Sequence, residues 1–186
     1  MLTSVGKRVP TWMDRYTLHL HNPNPNLWMN KLEQAVNGAL ERLGKGDATL
    51  RPSQRACVEA VVERKRVIAS LRAGGGKTLM FTASSLTLPA LKDASQAALV
   101  ATPLRSLISQ QLQELPSSVA EALDKERRAA QGVMQSKDLC LIYTCPETLC
   151  ENESVLKALE DNQLLRLIVV DEARLCVTTE EELRPC

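Results

Sequence analysis

The stretch LRAGGGKTLMF, residues 71–81, places three glycines, a lysine and a threonine directly after an apolar run. Glycines at a turn into a helix let backbone N–H groups approach a polyphosphate without side chains in the way. Lys77 then supplies positive charge for the outer phosphates, and the Thr78 hydroxyl is a ligand for Mg²⁺. The strict phosphate-loop pattern has a further glycine where this chain has Leu71. The stretch alone therefore fits either an ordinary glycine turn followed by an exposed lysine or a phosphate cradle, which would comprise Gly74, Gly75, Gly76, Lys77 and Thr78.

Two adjacent carboxylates, Asp171 and Glu172, follow the apolar run LRLIVV at 165–170. Asp171 can hold Mg²⁺ directly or through water, and Glu172 can orient and deprotonate an attacking water. Two exposed acids at the start of a helix are the common alternative. That alternative loses weight here, because a glycine-lysine-threonine turn is expected at the same end of the same sheet.

An amide side chain lies upstream of the glycine turn, in LRPSQRA at 50–56. Pro52 suits the first turn of a helix. Gln54 can donate and accept in the bidentate pattern that N6 and N7 of adenine present. An amide on a surface helix is usually solvated, so this signal depends on its place just before the phosphate loop. Together the three segments predict an adenine nucleotide site.

The elements that must position these residues are short apolar runs separated by helical patterns. The runs are predicted to be strands buried on both faces, because their hydrophobicity is continuous and not alternating. They are RVIASL at 66–71, AALVAT at 97–102, LCLIYT at 139–144 and LRLIVV at 165–170. A helical stripe lies between the second and third runs and comprises Leu104, Leu107, Ile108, Leu112 and Leu115, with Pro116 ending it. This alternation predicts an α/β fold with a parallel sheet, in which ligands bind at the carboxyl ends of the strands.

The first 49 residues differ from the rest. HNPNPN at 21–26 is typical of a turn, and apolar residues from Trp28 to Leu43 recur at helical spacing. They predict one amphipathic helix with Asn26 as N-cap and Gly44 as its stop. We expect its apolar stripe to pack on the main domain or on something outside this chain. His19 and His21 have no third metal ligand nearby, so a metal site is not predicted there.

Bulk composition narrows the class of protein. The 186 residues are 44% hydrophobic and 24% charged, as expected of one globular domain. The net charge of +1 gives no global attraction to nucleic acid, and 3% aromatic residues leave few platforms for base stacking. None of the six cysteines has C-x-x-C spacing, so neither a zinc site nor a redox pair is predicted. The start has no apolar signal region and no run is long enough to span a membrane, so we expect a soluble intracellular protein.

Five segments in this order resemble the motifs of the first RecA-like domain of RecQ-type DNA helicases, in the superfamily that includes DEAD-box and DEAH-box proteins. The resemblance covers about residues 50–186, and RecQ-type phosphate loops also lack the first glycine. The segments are LRPSQ at 50–54, AGGGKT at 73–78, VATPLRSLISQQ at 100–111, LIYTCPETL at 141–149 and LIVVDEAR at 167–174.

The resemblance implies a RecA-like P-loop NTPase domain over residues 50–186, preceded by a helical extension over 1–49. It implies ATP and Mg²⁺ as cofactors. Gln54 would read adenine, Asp171 and Thr78 would hold Mg²⁺, and Glu172 would be the catalytic base. Phosphate binding would fall to Gly74, Gly75, Gly76, Lys77 and Thr78, with Lys77 also taking part in catalysis.

The same resemblance implies partners and a location. DNA, single-stranded or at duplex junctions, would be bound, with recombination and repair in the nucleus as the setting and no membrane involved. Contacts to the nucleic-acid backbone would come from the third and fourth motif segments, at Thr102, Pro103, Leu104, Pro146, Glu147 and Thr148. Such contacts position a strand without reading its sequence.

The chain departs from the RecQ pattern at several points. Arg174 stands where the family has histidine, and Thr179 and Leu183 stand where it has the tryptophan and phenylalanine that sense single-stranded DNA. Residues 180–182 are three glutamates where a polyanion is expected to approach. The segment between Leu115 and Leu139 is shorter than the family's. We therefore expect ATP binding without strong coupling of hydrolysis to DNA.

The sequence ends at Cys186, before the second RecA-like domain of such helicases. The arginine finger of that domain is worth about 10³ to 10⁵ in rate, so slow hydrolysis and no unwinding are expected of this chain alone. A second RecA-like domain or a full-length helicase would then be a partner. The rival hypothesis is a catalytically silent binding module or remnant on the same fold, which pairs with a full-length helicase or with nucleic acid. A P-loop kinase fits poorly because it has no use for the third and fourth motif segments.

Overall fold

The structure is a computed structural model that describes residues 25–72, 74–92, 96–123 and 139–173. Within these ranges the helices are α1 (Pro25–Arg42), α2 (Pro52–Val62), α3 (Lys77–Lys92), α4 (Arg105–Gln113), α5 (Pro146–Glu151) and α6 (Glu153–Asp161). The strands are β1 (Ala97–Ala101), β2 (Ala120–Ala122), β3 (Leu141–Thr144) and β4 (Leu165–Val170). His19, His21, Arg174, Thr179 and Leu183 lie outside the described residues.

The four strands form one parallel sheet in the order β2-β3-β1-β4. β1 runs through its centre, where Leu99 lies opposite Ile142 of β3 and Ile168 of β4. β1 and β3 are buried along their whole length, because helices cover both faces of this part of the sheet. The predicted α/β fold with a parallel sheet is confirmed, as are the predicted strands at 97–102, 139–144 and 165–170.

The prediction of a strand at 66–71 is wrong. These residues form no strand, and the side chain of Ile68 is fully exposed. The run is apolar at Val67, Ile68, Ala69 and Leu71, so its composition alone permits a strand, but it pairs with none of the four strands of the described sheet.

The prediction that β4 is buried on both faces is also wrong. β4 is an edge strand of the described sheet, and the side chains of Ile168 and Val170 are about half exposed. Leu167 and Val169 pack against the core on one face of β4, whereas no described helix covers Ile168 and Val170 on the other face.

β2 was not predicted from the sequence. It pairs with β3 in parallel, with Glu121 opposite Ile142. The three residues of β2 have a glutamate at their centre, so neither an apolar run nor a clear alternation predicts this strand. The backbone carbonyl of Val119, just before β2, accepts hydrogen bonds from the N–H groups of Cys140 and Leu141.

Side chains on the two faces of the sheet belong to two apolar clusters. Ala98 and Val100 point into the larger cluster with residues of α1, α2 and α3, whereas Leu99 points into the smaller cluster with α6. Alternate residues of one strand thus meet helices on opposite faces, which explains why the strands read as continuous apolar runs.

The predicted N-terminal helix is confirmed as α1, and it packs on the main core. Leu32 and Val36 are buried within the larger cluster beside residues of α2 and α3. Gly44 has a φ of +68° just after the helix, which confirms it as the stop. Asn26 lies inside the first turn of α1 and not before it, so the predicted N-cap is wrong. The boundary at residues 49 and 50 between an extension and a domain stays a prediction.

An ion-pair cluster joins α1 to α2. The guanidinium of Arg55 contacts the carboxylates of Glu33 on α1 and Glu59 on α2. Burial alone lowers the pKa of Arg55, but the hydrogen bonds to these two carboxylates outweigh burial and raise it. Among the described helices, none is long and apolar enough to cross a membrane.

Candidate nucleotide site

The backbone of the glycine turn at 74–76 has a conformation that other residue types would adopt only with strain. Gly74 and Gly76 have φ of +70° and +79°, the left-handed region that favours glycine. The carbonyl oxygen of Arg72 accepts a hydrogen bond from the Gly75 N–H at 2.9 Å. A Cβ at Gly75 would lie only 2.8 Å from this oxygen. Helix α3 begins directly after the turn, at Lys77. Its first N–H groups have no acceptor within the helix, and they face the turn where an anion would bind.

The amide of Gln54 holds the glycine turn from α2. Its Nε2 donates to the carbonyl oxygens of Gly75 and Gly76, at 3.4 Å and 3.2 Å, and its Oε1 accepts from the Arg51 N–H at 2.8 Å. The side chain is only 3% exposed. A Cβ at Gly76 would lie 2.3 Å from Nε2, so any larger residue there would displace the Gln54 amide from this contact. Since both Nε2 hydrogens are engaged, donation to adenine would require Gln54 to release a loop carbonyl.

Lys77 meets the carboxylate pair across the site. Its Nζ lies 2.6 Å from Oε1 of Glu172, and the two side chains are 32% and 20% exposed. The end of β4 therefore lies beside the first turn of α3. The predicted proximity of the two segments is confirmed, although no strand precedes the glycine turn at 66–71. The ammonium is ion-paired but still reaches solvent, so a phosphate can compete for it. Glu172 has a φ of +50°, a conformation that is uncommon for a residue other than glycine.

Asp171 is fixed at the end of β4 by three hydrogen bonds. Its N–H donates to the carbonyl of Ala101 at 2.9 Å, which continues the ladder between β1 and β4. Its Oδ1 accepts from the N–H of Glu172 at 3.0 Å, and its Oδ2 accepts from Nε2 of Gln111 at 3.2 Å. Gln111 comes from α4 and was not predicted as a site residue. It closes the segment VATPLRSLISQQ and falls on the apolar stripe of the predicted helix, three positions after Ile108, whereas its neighbour Gln110 does not.

The oxygen donors at this site fit magnesium that arrives with a nucleotide. Mg²⁺ in nucleotide sites takes about one or two carboxylates and completes its shell with phosphate oxygens and waters. Asp171 offers a carboxylate, and Thr78 offers a hydroxyl in the first turn of α3. Across the described parts of the chain, no group of three or more His, Cys, Asp or Glu side chains can hold a metal ion. A cation here would depend on ligands from the nucleotide.

The residues predicted to contact nucleic acid lie at the ends of β1 and β3. The Thr102 N–H donates to the carbonyl of Thr144, which joins the two strand ends. Thr102 and Thr148 have buried side chains, Leu104 and Glu147 are exposed, and Pro103 and Pro146 are partly buried. The predicted set thus divides into side chains that face solvent and side chains that do not.

A cavity of about 260 Å³ lies between α4 and the start of α5. Arg105, Ser109 and Tyr143 are among the residues that line it. The pKa of Glu147 is lowered, first by a hydrogen bond from its own backbone N–H, then by Cys145 and by the charge of Arg105. Arg105 was not predicted as a site residue, although it is the first basic residue after Leu104.

A parallel sheet with a glycine-lysine-threonine turn facing a carboxylate pair defines the RecA-like α/β class. A family model described as DEAD/DEAH box helicase matches residues 51–183. The chain belongs to the DEAD/DEAH box helicase family. Such a domain implies use of a nucleotide.

Relatives with RecQ-type names are similar to most of the chain. Putative ATP-dependent DNA helicase Q1 of Caenorhabditis elegans is 33% identical over 138 residues, which is 68% of this chain and 21% of that protein. The protein of the same name in Caenorhabditis briggsae is 33% identical over 161 residues, 80% of this chain and 24% of its own length. RecQ-like DNA helicase BLM of Xenopus laevis is 29% identical over 124 residues, 60% of this chain and 9% of that protein.

These relatives confirm the RecQ-type resemblance predicted from the sequence. The chain spans no more than 24% of the length of any of the three.

Proposed function

We propose that the chain is the ATP-binding module of a RecQ-like, ATP-dependent DNA helicase, and that it binds ATP with Mg²⁺. The observation that carries this proposal is the 2.6 Å contact between Lys77 and Glu172, since it joins the phosphate-loop lysine to the carboxylate pair. Lys77 would exchange Glu172 for the outer phosphates of the nucleotide. Gln54 would exchange a loop carbonyl for the edge of adenine.

In this proposal each carboxylate has a separate task. Asp171 and the hydroxyl of Thr78 would hold Mg²⁺, which neutralises charge on the phosphate oxygens when bound. Glu172, once released from Lys77, would accept a proton from the attacking water. An arginine finger from a second RecA-like domain or from a full-length helicase would accelerate hydrolysis. DNA would lie across the ends of β1 and β3, and the nucleus is the proposed location.

Nucleotide affinity with and without Mg²⁺ tests this function. Lys77→Ala should weaken binding of the non-hydrolysable analogue AMP-PNP by at least about tenfold, because it removes a charge-assisted contact of roughly 1.5–3 kcal/mol. Lys157→Ala is the matched control, since Lys157 is an exposed lysine on α6. Isothermal titration calorimetry measures both. Equal affinities of wild type and Lys77→Ala would contradict the proposal.

A catalytically silent binding module is the second candidate. It is favoured by one observation: Gln54 and Lys77 are both engaged within the chain, as they would be in a site that never takes a ligand. The calorimetry above separates the two candidates. A wild-type chain that binds no AMP-PNP at millimolar concentration would favour the silent module.

A further inference from the structure

Gln111 is a buried amide whose side chain reaches the carboxylate pair from another element. It lies on α4, is 8% exposed, and donates from Nε2 to Oδ2 of Asp171 at 3.2 Å. The two residues are 60 positions apart in the chain. The contact therefore depends on how α4 packs against the end of β4 and not on local sequence.

The other end of this amide is its carbonyl oxygen. Oε1 of Gln111 is buried and has no hydrogen-bond partner among the described residues. A buried amide kept only for stability is expected to satisfy both of its ends, or to be replaced by an apolar side chain of the same shape. The pattern indicates an amide whose donor is needed at Asp171.

A neutral donor suits a carboxylate that must still bind a cation. An amide N–H uses one lone pair of Oδ2 and leaves the others free. It also leaves the negative charge of Asp171 in place, whereas lysine or arginine would neutralise it. Gln111 can therefore hold the orientation of the carboxylate without competing with a metal.

Gln111 also begins a chain of contacts that ends at the phosphate loop. Asp171 accepts the Gln111 amide on one oxygen and the Glu172 N–H on the other, and Glu172 then binds Lys77. Removing the amide would release Asp171 at one oxygen while leaving the bond to Glu172 in place.

We propose that Gln111 is a positioning residue that orients Asp171 for the Mg²⁺ of the bound nucleotide. This inference rests on the proposed function and assigns a residue that the sequence did not single out. It predicts that loss of the amide donor weakens the metal-dependent part of nucleotide binding and spares the metal-independent part.

The test is a Mg²⁺ titration of AMP-PNP binding to the full chain, with a parallel measurement in EDTA. Gln111→Met keeps the length and packing of the side chain and removes the donor. The Mg²⁺ concentration for half-maximal binding should rise about tenfold, the lower end of what loss of a residue behind a metal ligand typically costs. Affinity in EDTA should equal that of the wild type.

Gln110→Met is the matched control, because Gln110 is the exposed neighbour of Gln111 on the same helix. It should leave both measurements unchanged. Thermal unfolding of each variant checks folding. If Gln111→Met does not fold, Gln111→Asn takes its place: it keeps an amide but is shorter by one methylene, so it falls short of Asp171 and should shift the Mg²⁺ midpoint in the same direction.

Two results would overturn the positioning role. A wild-type Mg²⁺ midpoint in folded Gln111→Met or Gln111→Asn would do so. Equal losses with Mg²⁺ and in EDTA would also do so, because they indicate a general structural role. Failure of the proposed function looks different, since the wild type would then bind no AMP-PNP in either condition and Lys77→Ala would change nothing.

Discussion

At the scale of single residues, the groups that would bind a nucleotide already make contacts within the chain. Glu172 neutralises Lys77, and Gln54 occupies the carbonyls of the glycine turn. Both contacts use groups that a nucleotide would need. A nucleotide would therefore have to displace these internal contacts, so removing one of them should raise the affinity for nucleotide.

Glu172→Gln should separate affinity from hydrolysis. The change removes the negative charge beside Lys77, so nucleotide affinity should rise by up to about fivefold, since a partly exposed ion pair is worth roughly 1 kcal/mol at most. Any hydrolysis should fall by about 10² or more, because the general base is lost. Calorimetry with AMP-PNP and a phosphate-release assay measure the two effects. Weaker binding by Glu172→Gln would mean that Glu172 aligns Lys77 and does not compete for it.

Residue types and spacing were enough to identify the glycine turn, the carboxylate pair and the upstream glutamine. The chemistry of each of these features is specific, so the residue pattern predicts the feature without knowledge of the fold. Gln111 and Arg105 were missed because glutamine and arginine are common on exposed helices. Gln111 falls on the apolar stripe of α4 and Gln110 does not, but only the structure shows that the Gln111 amide reaches Asp171.

At the scale of elements, buried strands were predictable and edge structure was not. β1 and β3 carry continuous apolar runs because helices cover both of their faces. The segment 66–71 has a similar short run, yet Ile68 is exposed and no strand forms. Apolar content indicates that a segment can be buried, but neighbouring strands decide whether it is. β2 shows the converse, since its short backbone pairs with β3 despite a weak pattern.

The packing of α1 supports the helix that begins at the phosphate loop. Leu32 is 2% exposed in the cluster shared with α2 and α3, so Leu32→Ala should destabilise the chain by about 2–5 kcal/mol. Met29 on the same helix is 46% exposed, and Met29→Ala should change stability by less than about 0.5 kcal/mol. Urea denaturation followed by circular dichroism measures both. Equal effects of the two changes would contradict the packing of α1 on this core.

At the scale of the whole molecule, charge gives little help to DNA binding. The net charge is +1, so any affinity for a polyanion must come from local groups at the ends of β1 and β3. Thr102 and Thr148 are buried there, and Glu147 is negative and exposed. Arg105 is the cationic side chain that borders the cavity between α4 and α5. We therefore expect weak, salt-sensitive binding of single-stranded DNA by this chain.

Arg105→Gln tests where the strand lies. If one phosphate contact is lost, the slope of log affinity against log salt should become shallower by about 0.7 for single-stranded DNA, and affinity at low salt should fall. Lys157→Gln removes an exposed cation from α6 and should leave the slope unchanged. The reason is that α6 packs in the smaller cluster, whereas Ile108 of α4 packs in the larger cluster on the other face of the sheet. Fluorescence anisotropy of a labelled oligonucleotide over a salt series gives both slopes. An unchanged slope in Arg105→Gln would mean that the strand does not pass the start of α4, whereas equal changes in both variants would indicate attraction by net charge alone.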